Sequence, residues 1–137
     1  MRNYTFAGGL SVILLGLLVT GCGERMTSVS GKVTFSDGSP VTRGCVSFDS
    51  GTYSASGDIK PDGSYVLGAL KAGGGVRPGD YAIAVQKNWD DPTDEAGNSI
   101  DTFEVDPKFT SGETSGMRCV VEAGKNKVFD IVVEKKK

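Results

Sequence analysis

From Val29 onward apolar and polar residues alternate with a period of two, and glycine and proline break the alternation. That pattern restricts the chain to short extended strands joined by tight turns. Val29, Gly31, Val33 and Phe35 alternate with Ser30, Lys32 and Thr34 in a first half-buried strand. Val46 and Phe48 mark a second, Tyr53 to Lys60 a third, and Tyr65, Leu67 and Ala69 a fourth. Tyr81, Ile83 and Val85 alternate with Ala82 and Ala84 in a fifth. Met117, Cys119 and Val121 share a face of the sixth, and Phe129, Ile131 and Val133 a face of the seventh. Asp37-Gly-Ser-Pro40 reads as a turn, Asp62-Gly63 as a hairpin, and Ala123-Gly-Lys-Asn126 as a hairpin joining the last two strands. No stretch of this part of the chain carries an i, i+3, i+4 apolar pattern over ten residues. The expectation is an all-β, antiparallel sandwich of about seven strands.

Composition narrows the chemistry. The chain has no histidine, which removes the commonest general base at neutral pH and the commonest metal ligand. Serine–histidine and cysteine–histidine catalysis are excluded, and so in practice are the usual zinc sites. Gly73-Gly-Gly75 is followed by no GK[ST] and leads through Arg77-Pro-Gly-Asp80 into a strand, so it reads as a bend, not a phosphate loop. Carboxylates are plentiful, but no spacing sets two of them across a cleft. We therefore expect no catalytic residue, no cofactor and no enzyme. A formal net charge of −2 argues against a nucleic-acid partner, whose binding needs a basic face.

The N-terminus reads differently. Arg2 precedes an uncharged run from Phe6 to Thr20. At about 1.5 Å per residue that run falls short of a roughly 30 Å hydrocarbon core. A basic start, a short apolar centre and a small-residue exit are the anatomy of an export signal. Leu18-Val-Thr-Gly-Cys22 resembles the lipobox of bacterial lipoproteins. The resemblance implies cleavage between Gly21 and Cys22, alkylation of the Cys22 thiol by diacylglycerol, and acylation of the new amine. Residues 1–21 are then a signal, residues 22–27 a lipidated start and spacer, and residues 28–135 the domain, enough for one modest core. Two or three acyl chains make a stable tether, so the expected partner is a membrane that the protein is anchored to without spanning. Gly23, in place of Asp, favours the outer membrane by the same resemblance.

The segment from about residue 88 to 116 is too long for a hairpin, and loops of this length are usually functional or disordered. Between Asn88 and Asp106 it holds Asp90, Asp91, Asp94, Glu95, Asp101, Glu104 and Asp106 and no basic residue. One reading is a calcium loop using Asp90, Asp91, Asp94, Glu95 and Asn98, although Pro92 interrupts the series. The favoured reading is a solvated, mobile insertion. Trp89 either covers the open end of the core, the favoured reading, or stacks on a ligand. Cys45 and Cys119 either form a disulfide or stand as independent small residues. Cys45 is out of phase with Val46 and Phe48 whereas Cys119 is in phase with Met117 and Val121, which favours the second. Lys135-Lys136-Lys137 reads as a solvated tail.

With the strands placed, Gly31-Lys-Val-Thr-Phe35, Asp37-Gly-Ser-Pro-Val41, Val46-Ser-Phe48, Asp62-Gly-Ser-Tyr65, Gly75-Val-Arg-Pro-Gly-Asp-Tyr81 and Ala123-Gly-Lys-Asn126 resemble, in order, the carboxypeptidase regulatory-like domain. The lipobox and Lys108-Phe-Thr-Ser-Gly-Glu-Thr-Ser-Gly116 extend the likeness to short bacterial lipoproteins built from that domain. It implies a transthyretin-like (prealbumin-like) Greek-key sandwich, usually a non-catalytic accessory that folds, spaces, or binds protein or carbohydrate. Transthyretin-like hydrolases depend on histidines that this chain lacks. A pilin-type isopeptide bond between Lys32 and Asn126 is disfavoured, because Lys32 alternates outward and Val85 stands near the position of the promoting acid. The resulting expectation is a lipid-anchored cell-envelope domain with a structural or protein- or glycan-binding role. The alternative is a calcium-dependent adhesion or surface module.

Overall fold

The computed structural model describes residues 25–68 and 74–137, so Gly21, Cys22, the rest of the expected signal and Ala69 lie outside the described residues. Eight strands are described: β1 (Val29–Phe35), β2 (Cys45–Asp49), β3 (Ser54–Asp58), β4 (Ser64–Val66), β5 (Gly79–Gln86), β6 (Arg118–Val121), β7 (Lys127–Val128) and β8 (Ile131–Val133). They form an all-β sandwich. One sheet has the order β3-β2-β5-β6, antiparallel throughout. In the other, β1 is flanked by β4 on one side and by β7 and β8 on the other. Among the described residues no helix is long and apolar enough to cross a membrane.

The period-two reading places the core correctly. Val29, Val33, Phe35, Tyr65, Leu67, Ile131 and Val133 of the first-strand sheet face Val46, Phe48, Tyr81, Ile83, Val85 and Val121 of the other, all of them buried. Each of the larger side chains contributes about 1.5–3 kcal/mol by leaving water. Tyr81, two residues into β5, donates its hydroxyl to the Arg77 carbonyl at 2.7 Å. A tyrosine hydroxyl tied back a few residues upstream pins the entry of a sandwich strand, and Arg77-Pro-Gly-Asp-Tyr81 is that corner.

Two expectations about strand pairing change. The sequence predicts antiparallel pairing throughout, but β1 pairs in parallel with both β7 and β8. The turn at Ala123–Asn126 is also not a hairpin: β6 belongs to one sheet and β7 to the other. Val121 and Ile131 must both point inward, from opposite layers, so the turn arches across the sandwich. The expected last strand is interrupted at Phe129 and Asp130, although its offset from β1 is the same before and after the break. The Asp130 carboxylate accepts the Lys32 backbone N–H at 3.0 Å, replacing a ladder carbonyl there. The Phe129 carbonyl accepts the Tyr65 hydroxyl.

The Asp62-Gly63 turn links antiparallel segments as predicted, but its hairpin folds over the rim of the sandwich. β3 and β4 lie in different sheets, and Ser56 and Gly68 exchange backbone hydrogen bonds between them. The motif Asp-Gly-Ser occurs at both 37–39 and 62–64. In each, the aspartate accepts the N–H and hydroxyl of the serine, and the glycine takes a positive φ of 88° or 86°. The Ser39 hydroxyl, then its N–H, holds the Asp37 carboxyl down at about 2.

Cys45 and Cys119 are free thiols and do not form the disulfide considered above. Cys45 lies opposite Gln86 and Cys119 opposite Tyr81. The five intervening steps along β5 separate them by about 17 Å, well beyond the roughly 7 Å a bridge allows. They also occupy opposite faces. Burial raises both thiol pKa values, which keeps them protonated.

Candidate functional site

The insertion between β5 and β6 is laid against the sandwich, contrary to the expectation of a solvated, mobile segment. Val105 and Phe109 are buried in the core. A single 3-10 turn, Pro107–Thr110, is capped by the Asp106 carboxylate, which accepts the Lys108 N–H at 3.0 Å. The acids of the loop are used locally. Asp94 accepts the N–H groups of Ala96 and Asn98 at 3.0 and 2.8 Å and the Asn98 side-chain amide at 3.1 Å. Asp91 pairs with Lys87 and accepts both the N–H and the hydroxyl of Thr102. Asp90 and Glu95 lie on the same loop, yet no group of three or more metal-ligating side chains is assembled among the described residues.

Trp89 is half-buried and largely occupied. The Arg43 guanidinium lies 3.8 Å from the centroid of its ring, Phe103 packs edge-on at 5.5 Å, and its indole N–H donates to Thr102 at 3.0 Å. The cavity beside it measures about 40 Å³, room for water and not for a sugar ring. Trp89 thus packs on Phe103, which itself lies against the core, and reaches the core only through that ring.

The terminal lysines are not a simple solvated tail. The Lys136 N–H donates to the Glu104 carbonyl at 2.7 Å and its ammonium pairs with Asp101. Lys135 pairs with Asp37 at 3.3 Å, and Lys108 with Glu134 at 3.2 Å. Such exposed pairs contribute little individually; those of Lys136 with Asp101 and Lys108 with Glu134 join the insertion to the C-terminal segment. Lys32 is exposed and Val85 buried, as the isopeptide argument required, and Asn126 lies in the exposed arch.

These contacts predict a response to acid. Lys87 lowers the Asp91 pKa most, Asn98 that of Asp94, and Lys136 that of Asp101. A carboxyl depressed in the folded state stabilises the fold above its unfolded pKa, and that contribution is lost as pH falls through the folded value. The insertion is thus expected to loosen as pH falls below about 4, the ordinary carboxylate value. Trp89, the single tryptophan, reports it: its emission should shift to the red below about pH 4, ahead of any loss of far-UV dichroism. Emission that stays constant until the sheet signal itself is lost would refute this coupling.

The second half of the insertion crosses the outer face of the β3-β2-β5-β6 sheet and builds a groove there. Ser54, Asp49, Ala82 and Arg118 form one cross-strand row on that face, and Ser56, Ser47 and Ala84 the next. Gly112 lies over Ala82, where an added Cβ would sit 3.0 Å from the alanine methyl. The Ser115 hydroxyl donates to the Ile83 carbonyl at 2.5 Å, and the Gln86 amide to the Thr110 carbonyl at 3.4 Å. The groove measures about 550 Å³. Ser47, Asp49, Ser50 and Gln86 line it from the sheet side, and Thr110, Ser111 and Glu113 from the insertion. Arg118 closes one end, held by Asp80 at 3.2 Å.

None of these groove residues was given a site role from sequence, although Thr110, Ser111, Gly112 and Glu113 lie in the 108–116 stretch quoted for its resemblance. The available signal was Ala82 and Ala84, two small residues on a face that should carry solvated side chains. They are small because the insertion passes over them, and Ala84 is 4% exposed.

No family model and no curated protein matches the chain. Among solved structures, the crystal structure of a DUF3823 family protein from Bacteroides ovatus is similar, with 20% identity and a TM-score of 0.45. The alignment covers 79% of this chain and 44% of that one, so this chain spans less than half the length of that protein.

Proposed function

We propose that the protein is a non-catalytic, lipid-anchored cell-envelope module that holds a binding surface away from the membrane. The sandwich is, in this reading, a carboxypeptidase regulatory-like domain of the transthyretin-like type. In support, the Asp-Gly-Ser motifs and Arg77–Tyr81 serve as its turns and strand entry. The observation that carries the binding role is the groove, where 107–116 fold back over the sheet and wall off a polar face. Loops that rigid sheets position carry function disproportionately. The calcium-dependent alternative has no supporting observation, since Asp91 and Asp94 are taken up by Lys87, Thr102 and the loop's own amides.

The anchor rests on Leu18–Cys22 and has a direct test. Native protein is expected to partition wholly with membranes and to yield an N-terminal peptide carrying acyl mass at Cys22. The Cys22→Ser variant should lose the acyl mass and retain residues 1–21, because the thiol that the expected processing needs is gone. Native protein whose N-terminal peptide begins elsewhere than Cys22, or carries no acyl mass there, would refute the anchor.

A further inference from the structure

We infer that the end of the sandwich where the chain enters β1 is a membrane-docking surface, which sets the domain upright on a bilayer of anionic lipid; this deepens the lipid-anchor reading and rests on it. The entry is pinned in place. Thr27 exchanges backbone hydrogen bonds with Val76 at 2.8 Å and donates its hydroxyl to the Glu122 carbonyl at 3.0 Å. Five residues separate Thr27 from Cys22, so acyl chains on that thiol start at most about 18 Å from this end. Apolar and cationic side chains gather there. Val128 is 72% exposed and Met26 46%. Arg25, Lys125 and Lys127 are exposed around them. Of the three cations, only Lys125 has an ion pair among the described residues, with Glu122 at 2.9 Å.

The opposite end carries the opposite charge. The last strand runs from the arch toward the insertion, and nine residues, about 30 Å, separate Lys127 from the Lys136 that pairs with Asp101. Val105 bridges to Lys135, and Asp91 pairs with Lys87 just beyond β5, so the acids from Asp90 to Asp106 lie at that far end. Anionic headgroups therefore attract the entry end and repel the far one. A screening length of about 8 Å keeps the two effects separate. Three cations and two apolar side chains hold a bilayer only weakly on their own. The tether changes this, because it keeps the entry end at an effective concentration on the order of millimolar. Met26 and Val128 then enter the headgroup zone, while the lysines keep their ammonium groups at its surface.

The test places the full lipidated chain in vesicles of phosphatidylcholine, with or without phosphatidylglycerol, that carry a nitroxide on a trace headgroup. A fluorophore is attached through Val128→Cys, Val132→Cys or Glu95→Cys, with the parent chain as the blank for Cys45 and Cys119. With phosphatidylglycerol, quenching is expected to fall in the order 128, 132, 95. Quenching at 128 should drop at least about twofold without phosphatidylglycerol, in about tenfold more salt, and in the Lys125→Glu, Lys127→Glu double variant. That variant's thermal midpoint should match the parent's, since both lysines are exposed. Quenching at 128 that neither salt nor the charge reversal alters comes from the tether alone and overturns the proposal. A label at 128 that is shielded from water yet unquenched shows a protein covering this end, and also overturns it. The mass of the N-terminal peptide separates the failures. With acyl mass at Cys22, either result removes the docking surface and leaves the anchor standing; without it, both readings fall.

Discussion

Gly31→Ala is expected to lower the stability of the protein by about 3 kcal/mol, the upper part of the range for forcing extra atoms into a packed core. Gly31 lies on β1 opposite Tyr65, in a backbone conformation that any residue adopts, so the cost is purely one of space. A Cβ there would sit 2.1 Å from the Phe129 carbonyl oxygen and 3.1 Å from Tyr65 Cε1. Neither neighbour gives way easily. The carbonyl belongs to backbone that follows β7 and accepts the Tyr65 hydroxyl, and Tyr65 is fully buried. Making room would break that hydrogen bond and shift the parallel pairing that joins the last strand to the first. Gly38→Ala is the control. It has φ +88° and nothing within 4 Å of an added Cβ, so it should cost only the roughly 1–2 kcal/mol of a left-handed non-glycine residue. Equilibrium urea unfolding of the two variants and the parent checks the order. A Gly31→Ala midpoint equal to that of the parent would contradict the close approach of Phe129 to β1.

How much of this could be read in advance depends on whether the determining contact is local. Alternation identified which face of each strand is buried, because that face is set by a two-residue period within the strand itself. Val33, Phe48, Ile83 and Ile131 needed no knowledge of their partners. Pairing direction is not local. Whether Ala123–Asn126 makes a hairpin or an arch depends on which layer Ile131 enters, and the same turn residues serve both. The insertion was misread for a related reason. Its acidic composition suggested solvation, but Val105 and Phe109 reach the core, and the Asp91, Asp94, Asp101 and Asp106 carboxylates meet partners at Lys87, within the loop or at the distant Lys136. The groove depends on two long-range placements together, the sheet face and the segment folded over it. In the sequence it left only Ala82 and Ala84, and two alanines are not a motif.

The division of labour within β2 leads to the other large expected effect. Val46 and Phe48 point inward, while Ser47 and Asp49 face the groove. Phe48 is fully buried, with the ring of Tyr81 5.8 Å away and that of Phe129 at 6.0 Å and nearly perpendicular. It thus touches β5 in its own sheet and the segment between β7 and β8 in the other. Phe48→Ala is expected to cost about 4 kcal/mol, the transfer term plus a cavity that cannot collapse. Collapse is resisted because β2 is held by ladders to β3 and β5 on either side. Phe48→Leu keeps most of the volume and should cost under about 1.5 kcal/mol. Ser47→Ala, one residue away but on the outer face, should stay within about 0.5 kcal/mol. Thermal and urea unfolding of the three variants give the comparison. If Ser47→Ala proved as damaging as Phe48→Ala, the assignment of faces on β2 would be wrong, and with it the placement of Ser47 and Asp49 in the groove.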